Sequence, residues 1–102
     1  MNKLFLFIYT RRGCCICESL ESKLRRIALE DLVHSSELIF LDIDTSEVND
    51  QDRIRYDLEV PVICIGYSKD KMIPLPRVSP RLNDKGLINW LNKVITQSME
   101  AL

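Results

Sequence analysis

The sequence predicts an α/β fold, a sheet covered by helices on both faces, and three observations carry that reading. Residues 3–9, "KLFLFIY", are apolar on both sides, as a strand buried between two helical layers must be. Apolar residues recur at three- and four-residue steps after Cys15 and again after Leu87, the pattern of helices with one buried face. Between these segments short apolar runs alternate with polar helical stretches, which gives the order β-α-β-α-β-β-α.

In chain order, the first strand occupies residues 3–9. Gly13 breaks it from a helix whose stripe is Ile16, Leu20, Leu24, Ile27 and Ala28, ending near Asp31. "ELIFLDI", residues 37–43, is a second strand. In "DTSEVNDQDRIRYDL", Thr45 or Ser46 is the expected cap of a short helix with acidic residues in its first turn. "VPVICIG", residues 60–66, is a third strand ended by Gly66. "YSKDKM" turns, and "MIPLP" is a short edge strand, since its prolines exclude it from the middle of a ladder. Asn83 or Asp84 caps a last helix with the stripe Leu87, Ile88, Leu91, Val94 and Ile95, and from Gln97 the tail reads as fraying. Strands alternating with helices imply a partly parallel sheet with right-handed crossovers, to which the final hairpin adds an antiparallel strand. The arrangement is thioredoxin-like: a three-layer α/β/α sandwich on a central four-stranded mixed sheet.

A chain of 102 residues suits one domain, residues 1–102, with one modest core. Charged residues make up 28% and the hydrophobic set 46%, as in soluble globular proteins. With 14 Lys plus Arg against 15 Asp plus Glu, no general electrostatic attraction to nucleic acid or an anionic membrane is expected. The longest apolar run, Leu4 to Tyr9, falls far short of the roughly 20 residues of a membrane span. The start, "MNKLFLFIYTRRG", has two arginines after a short apolar stretch and no small-residue cleavage pattern, so no signal peptide is expected and the cytoplasm is the predicted location.

Three of the four cysteines fall within "CCIC", residues 14–17, and the fourth, Cys64, lies alone in the third strand. A secreted scaffold spreads its bridges along the chain, whereas a tight cluster suits catalysis or metal binding in a reducing compartment. Cys14 falls at or near the cap of the first helix, and Cys17, three residues on, shares its face. Cys15 is adjacent to one and two residues from the other, so geometry selects Cys14 with Cys17. Free N–H groups and the positive end of the helix dipole favour a thiolate at Cys14, in an environment where cysteine pKa values fall to roughly 3.5–7.5. Cys14 is then the nucleophile and Cys17, a turn inside, the resolving thiol. Arg11 and Arg12 stand where they could fold towards the sulfur. A zinc site needs four ligands. Beyond the cluster there are only Cys64, expected buried and inert, and His34, expected in a solvated loop at the far end, so no resident metal is predicted.

"IYTRRGCCICESL" together with "FLDIDTSEVNDQDRIRYDLEVPVICIG" resembles the glutaredoxin-like branch of the thioredoxin superfamily, and is similar in particular to short, little-characterised members with a C-x-x-C start and a later V-P-V segment. The resemblance covers roughly residues 3–95. It implies that Val60-Pro61 is a cis-proline site beside the active cysteines. The backbone of Val60 would pair with a substrate or glutathione chain, and Tyr9 and Thr10 would lie at the rim. Arg11 and Arg12 take the place of the lysine usual upstream of the cysteines. Cys15-Ile16 stands for Pro-Tyr inside the motif, Glu59 precedes Val60, and "SPRLND" replaces a Gly-Gly turn. Asn83 and Asp84, with Arg77 or Arg81, are the groups left to meet a charged ligand there.

The expectation is a thiol–disulfide oxidoreductase working through the Cys14/Cys17 dithiol on a disulfide-containing protein or small molecule. It needs no tightly bound cofactor. Its electrons would come from glutathione or a thioredoxin-reductase-type donor. Two alternatives stay open: a dimeric module binding an iron–sulfur cluster through Cys14 with glutathione as co-ligand, and a non-catalytic thioredoxin-fold adaptor.

Overall fold

A computed structural model describes residues 3–27, 29–32, 34 and 36–101. The elements are β1 (Leu4–Thr10), α1 (Cys15–Arg26), a single 3-10 turn (Leu29–Asp31), β2 (Ser36–Asp42), α2 (Asp50–Tyr56), β3 (Val62–Ser68), β4 (Lys71–Pro74) and α3 (Asp84–Met99). The four strands form one sheet in the order β2-β1-β3-β4.

The sheet is mixed, but its directions differ from the sequence-based expectation. Only β1 and β2 are parallel; β3 runs antiparallel to β1, with Tyr9 opposite Val62 and Phe5 opposite Gly66. The reason is the length of α2. Seven residues of helix reach about 10 Å, whereas the seven-residue strands span about 23 Å. The chain therefore re-enters the sheet at the end where it left β2, and no right-handed crossover joins β2 to a parallel β3. This re-entry puts residues 60–61 at the same end of the sheet as the start of α1.

Alternation along the strands divides the core. Leu4, Leu6 and Ile8 of β1, with Ile63 and Ile65 of β3, face Leu20 and Leu24 of α1 and Leu87, Leu91, Val94 and Ile95 of α3. Phe7, Tyr9 and Cys64 face the other way and pack with Leu41, Ile43, Val48 and Tyr56, under α2. Two helices on one face and one on the other make the three-layer arrangement. Among the described residues, no helix is long and apolar enough to cross a membrane.

Several boundaries moved for identifiable reasons. The first helix ends at Arg26, not near Asp31. Ile27 is extended, its N–H closing on the Lys23 carbonyl at 3.0 Å, and the chain turns to bury Leu32. Ile16, placed by periodicity in the stripe, is 46% exposed, and Ala28 lies outside the described residues. α2 is capped by Asn49, whose Oδ1 accepts the Asp52 N–H at 2.8 Å, and not by Thr45 or Ser46. Thr45 instead donates its hydroxyl to the Asp42 carbonyl, closing the turn after β2. Gly66 does not end β3, which runs two residues further through a register shift against β4. α3 extends through Gln97 to Met99, because Met99 still packs on the core.

At the other end of α3, Asn83 is the cap, its Oδ1 accepting the Gly86 N–H at 2.8 Å. Asn83→Ala leaves that N–H without its partner and is expected to cost about 1 kcal/mol in urea denaturation. A loss below a few tenths would mean that the cap contributes nothing.

Candidate functional site

The site is built where β1 hands over to α1. The turn from Arg11 to Cys14 is closed by the Cys14 N–H on the Arg11 carbonyl at 3.3 Å. Gly13 in this turn has φ +81°, a left-handed conformation that a side chain would strain, although its Cβ would meet open space. Cys14 is the N-cap: its backbone is extended and its Sγ accepts the Cys17 N–H at 3.2 Å. Cys14 and Cys17 are joined as a disulfide with their Cα atoms 5.2 Å apart. The two sulfurs differ in surroundings. Cys17 is 2% exposed among core residues, while Cys14 is partly exposed. Cys15 is a free, exposed thiol outside the pair.

The second wall comes from the segment that enters β3. The Val60-Pro61 peptide is cis. Pro61 is buried and Val60 half-buried. The Val60 N–H donates to the Tyr56 carbonyl at 3.2 Å. Pro61 shares a narrow cleft with Ile16, Ser19, Leu82 and Val78, so the residue between Cys15 and Cys17 faces the proline wall.

The remaining predicted groups are distributed differently from expectation. Tyr9 is not at the rim. It is 2% exposed, its ring 4.8 Å from that of Tyr56, and its hydroxyl points to Met72 Sδ at 3.8 Å. Burial is the main reason its pKa is raised far above the usual phenol value. Thr10 is half-buried at the end of β1, its carbonyl accepting the Ile43 N–H at 2.9 Å.

Arg11 does not fold over the sulfur as a free cation. Its Nε and one terminal nitrogen grip Asp44 at 2.8 and 3.1 Å. It also reaches the Asp57 carboxylate at 2.7 Å and the Asp57 carbonyl at 3.0 Å. These bonds tie together the turn before α1, the turn after β2 and the end of α2. Arg12 is exposed and makes no ion pair among the described residues. The groups proposed for a charged ligand at the start of α3 are also engaged: Asp84 with Arg26 at 2.7 and 2.8 Å, and Asn83 as the cap. Arg77 donates to the Glu59 carbonyl at 3.1 Å. Arg81 is exposed.

Hydrogen bonding to Arg11 holds the Asp44 carboxyl below its ordinary value of 3.8. A depressed folded-state pKa adds stability that is complete well above pH 3.8 and is lost as pH falls through the folded value. The carboxyl carbon of Asp44, followed by NMR, is expected to titrate below 3.8 in the wild type and to return towards 3.8 in Arg11→Met. An unchanged titration would remove Arg11 as the cause.

Cys64 lies where strand alternation puts it, 1% exposed on the α2 face, with its sulfur 3.9 Å from the Tyr56 hydroxyl. Burial pushes its thiol pKa up, away from reactivity. His34 is half-buried, and its carbonyl accepts the Ser36 hydroxyl at 3.0 Å. Among the described residues, no three His, Cys, Asp or Glu side chains are grouped to hold a metal ion. Asp44 and Asp57 were not singled out from sequence. Nothing local marks them, since they lie 33 and 46 residues from Arg11.

Comparison with known proteins agrees with this fold. The chain is similar in fold to a disulphide isomerase from Xylella fastidiosa Temecula1, with TM-score 0.66 and 16% identity, covering 92% of this chain and 79% of the other. It is also similar to a structure described as that of a malarial protein, with TM-score 0.59 and 16% identity, covering 92% of this chain and 99% of the other. No curated protein matches. The fold is thioredoxin-like, and a family model described as Glutaredoxin-like domain (DUF836) matches residues 5–92, nearly the whole chain: the protein belongs to the glutaredoxin-like family.

Proposed function

We propose that the chain works as one domain, a thiol–disulfide oxidoreductase that reduces disulfides through Cys14 and Cys17. The observation that carries the reading is the asymmetric pair, a partly exposed Cys14 at the cap of α1 and a buried Cys17 one turn inside, with Ile16 between them lining a cleft beside Pro61.

In the reduced protein the Cys17 N–H and the positive end of a 12-residue helix favour thiolate at Cys14. That thiolate attacks one sulfur of the target disulfide. A Cys14–target bond forms, the target's second sulfur leaves as thiolate, and water protonates it. Cys17 loses its proton and attacks the Cys14 sulfur. This forms the Cys14–Cys17 disulfide, releases the target's first sulfur and moves two electrons from the dithiol to the target. Val60 offers its carbonyl to an incoming chain, its N–H being bonded to Tyr56. An external thiol or dithiol, glutathione or a thioredoxin-reductase-type system, restores the pair. The setting is a reducing cytoplasm, and the role is maintenance of thiol balance.

A coupled assay on 2-hydroxyethyl disulfide tests this, run in parallel with glutathione plus its reductase and with a thioredoxin-reductase system. Turnover with at least one donor is expected. Absence of turnover with both, for protein whose Cys14 and Cys17 are reduced at the start, would leave the non-catalytic adaptor as the better account.

A further inference from the structure

On the α2 side of Pro61 lies a groove of about 320 Å³ that the exchange chemistry does not itself require. Tyr56, Val62, Leu75 and Val78 give it an apolar lining, and it shares Pro61 and Val78 with the cleft that holds Ile16. Two exposed arginines, Arg55 and Arg77, stand against one exposed carboxylate, Glu59. Arg77 is positioned by its hydrogen bond to the Glu59 carbonyl. Leu58, the residue before Glu59, is 91% exposed. The volume is at the small end of ligand sites, which run from about 300 to 1,000 Å³. It suits a side chain better than a folded partner.

We propose that this groove selects polypeptide substrates, receiving an apolar side chain a few residues from the target disulfide while an adjacent acidic residue faces Arg55 and Arg77. The inference rests on the oxidoreductase reading for the disulfide and adds the class of substrate. The occupant is a polypeptide because Pro61 borders both recesses. A chain laid across it from Cys14 advances about 3.3 Å per extended residue, so a few residues carry it into the groove. The acidic neighbour follows from the excess of cations. Like charges placed against them would weaken the encounter.

The test uses three peptide disulfides of equal length, carrying Leu-Asp, Leu-Lys or Ser-Asp three residues from the cysteine, with 2-hydroxyethyl disulfide as a wild-type control. The wild type is expected to prefer Leu-Asp over each of the others by about tenfold in kcat/KM. In Arg55→Glu, and in Arg55→Glu combined with Arg77→Glu, the Leu-Asp to Leu-Lys ratio should fall to unity or invert. Because the readout is a ratio, altered stability of a variant does not mimic it. Equal turnover of the three peptides overturns the groove and leaves the disulfide chemistry standing. If no disulfide is turned over, a cysteine-free Leu-Asp peptide is titrated into labelled protein. Shifts of the Val62 and Val78 amides then support the groove while the enzyme reading falls. No shift overturns both.

Discussion

Cys14→Ser is expected to lower disulfide reduction by roughly 10³-fold or more, because a serine hydroxyl at neutral pH supplies no comparable nucleophile. The partner variants separate the roles. In Cys17→Ser the first exchange still occurs, but no buried thiol releases the target. The protein should accumulate as a Cys14-linked mixed disulfide, seen as an adduct by mass spectrometry under non-reducing conditions. That substitution also places a hydroxyl at a position 2% exposed. Some loss of stability, about 1–3 kcal/mol, accompanies the trapping. Cys15→Ser should change the rate little, since Cys15 is exposed and outside the pair. If Cys15→Ser were the inactive variant and Cys14→Ser the active one, the nucleophile would have been assigned to the wrong sulfur. Adducts that persist in Cys14→Ser and vanish in its Cys15→Ser double variant would say the same.

The largest expected effect on stability belongs to Gly66. It sits inside β3, opposite Met72 of β4, at the register shift that also pairs Ser68 with Lys71. A Cβ there would come 2.5 Å from Met72 Cα and would overlap the Lys71 carbonyl oxygen more closely still. Both obstacles are backbone, so no rotamer change relieves them. β4 must move away from β3. Gly66→Ala is expected to cost about 3 kcal/mol or more, at or beyond the upper range for overpacking. That corresponds to a fall of roughly 10–20 °C in Tm for a domain of this size. A thermal melt and a urea titration measure it. A loss under about 1 kcal/mol would mean that the hairpin yields freely. Faster hydrogen exchange confined to β4 would then show where it yields.

Much of the fold was legible because periodicity is a local signal. The double-sided apolar run of β1 and the stripes of α1 and α3 follow directly from which faces are buried. The pairing of Cys14 with Cys17 was legible for the same reason, since three residues of helix return a side chain to the same face. Strand direction depended on something less visible. The short span of α2 could have predicted the antiparallel β3, but alternation of strands and helices pointed the other way. The α2 cap was ambiguous because residues 42–50 contain several side chains able to cap, and the bond from Thr45 to Asp42 removed one of them. The fate of Arg11 was beyond a local reading. Which two of 15 acidic residues it meets is decided only when distant turns are folded together. Tyr9 was a missed inference of another kind. It shares a strand face with Phe7, and that face is buried.

The antiparallel seam between β1 and β3 also bears on when the site comes apart. Both strands are interior to the sheet, and the Tyr9–Val62 pair lies directly below the cysteine turn and the proline wall. Segments at sheet edges and helix ends open by local fluctuations, whereas central strands exchange their amides only through the rarest, most global openings. The cysteine turn and Pro61 thus adjoin the slowest-opening strands of the molecule, while the α2 and β4 walls of the neighbouring groove belong to its periphery. If the groove reads a substrate chain as proposed, its peripheral walls are the parts free to adjust, while the two strands beneath the cysteine turn and Pro61 keep their register.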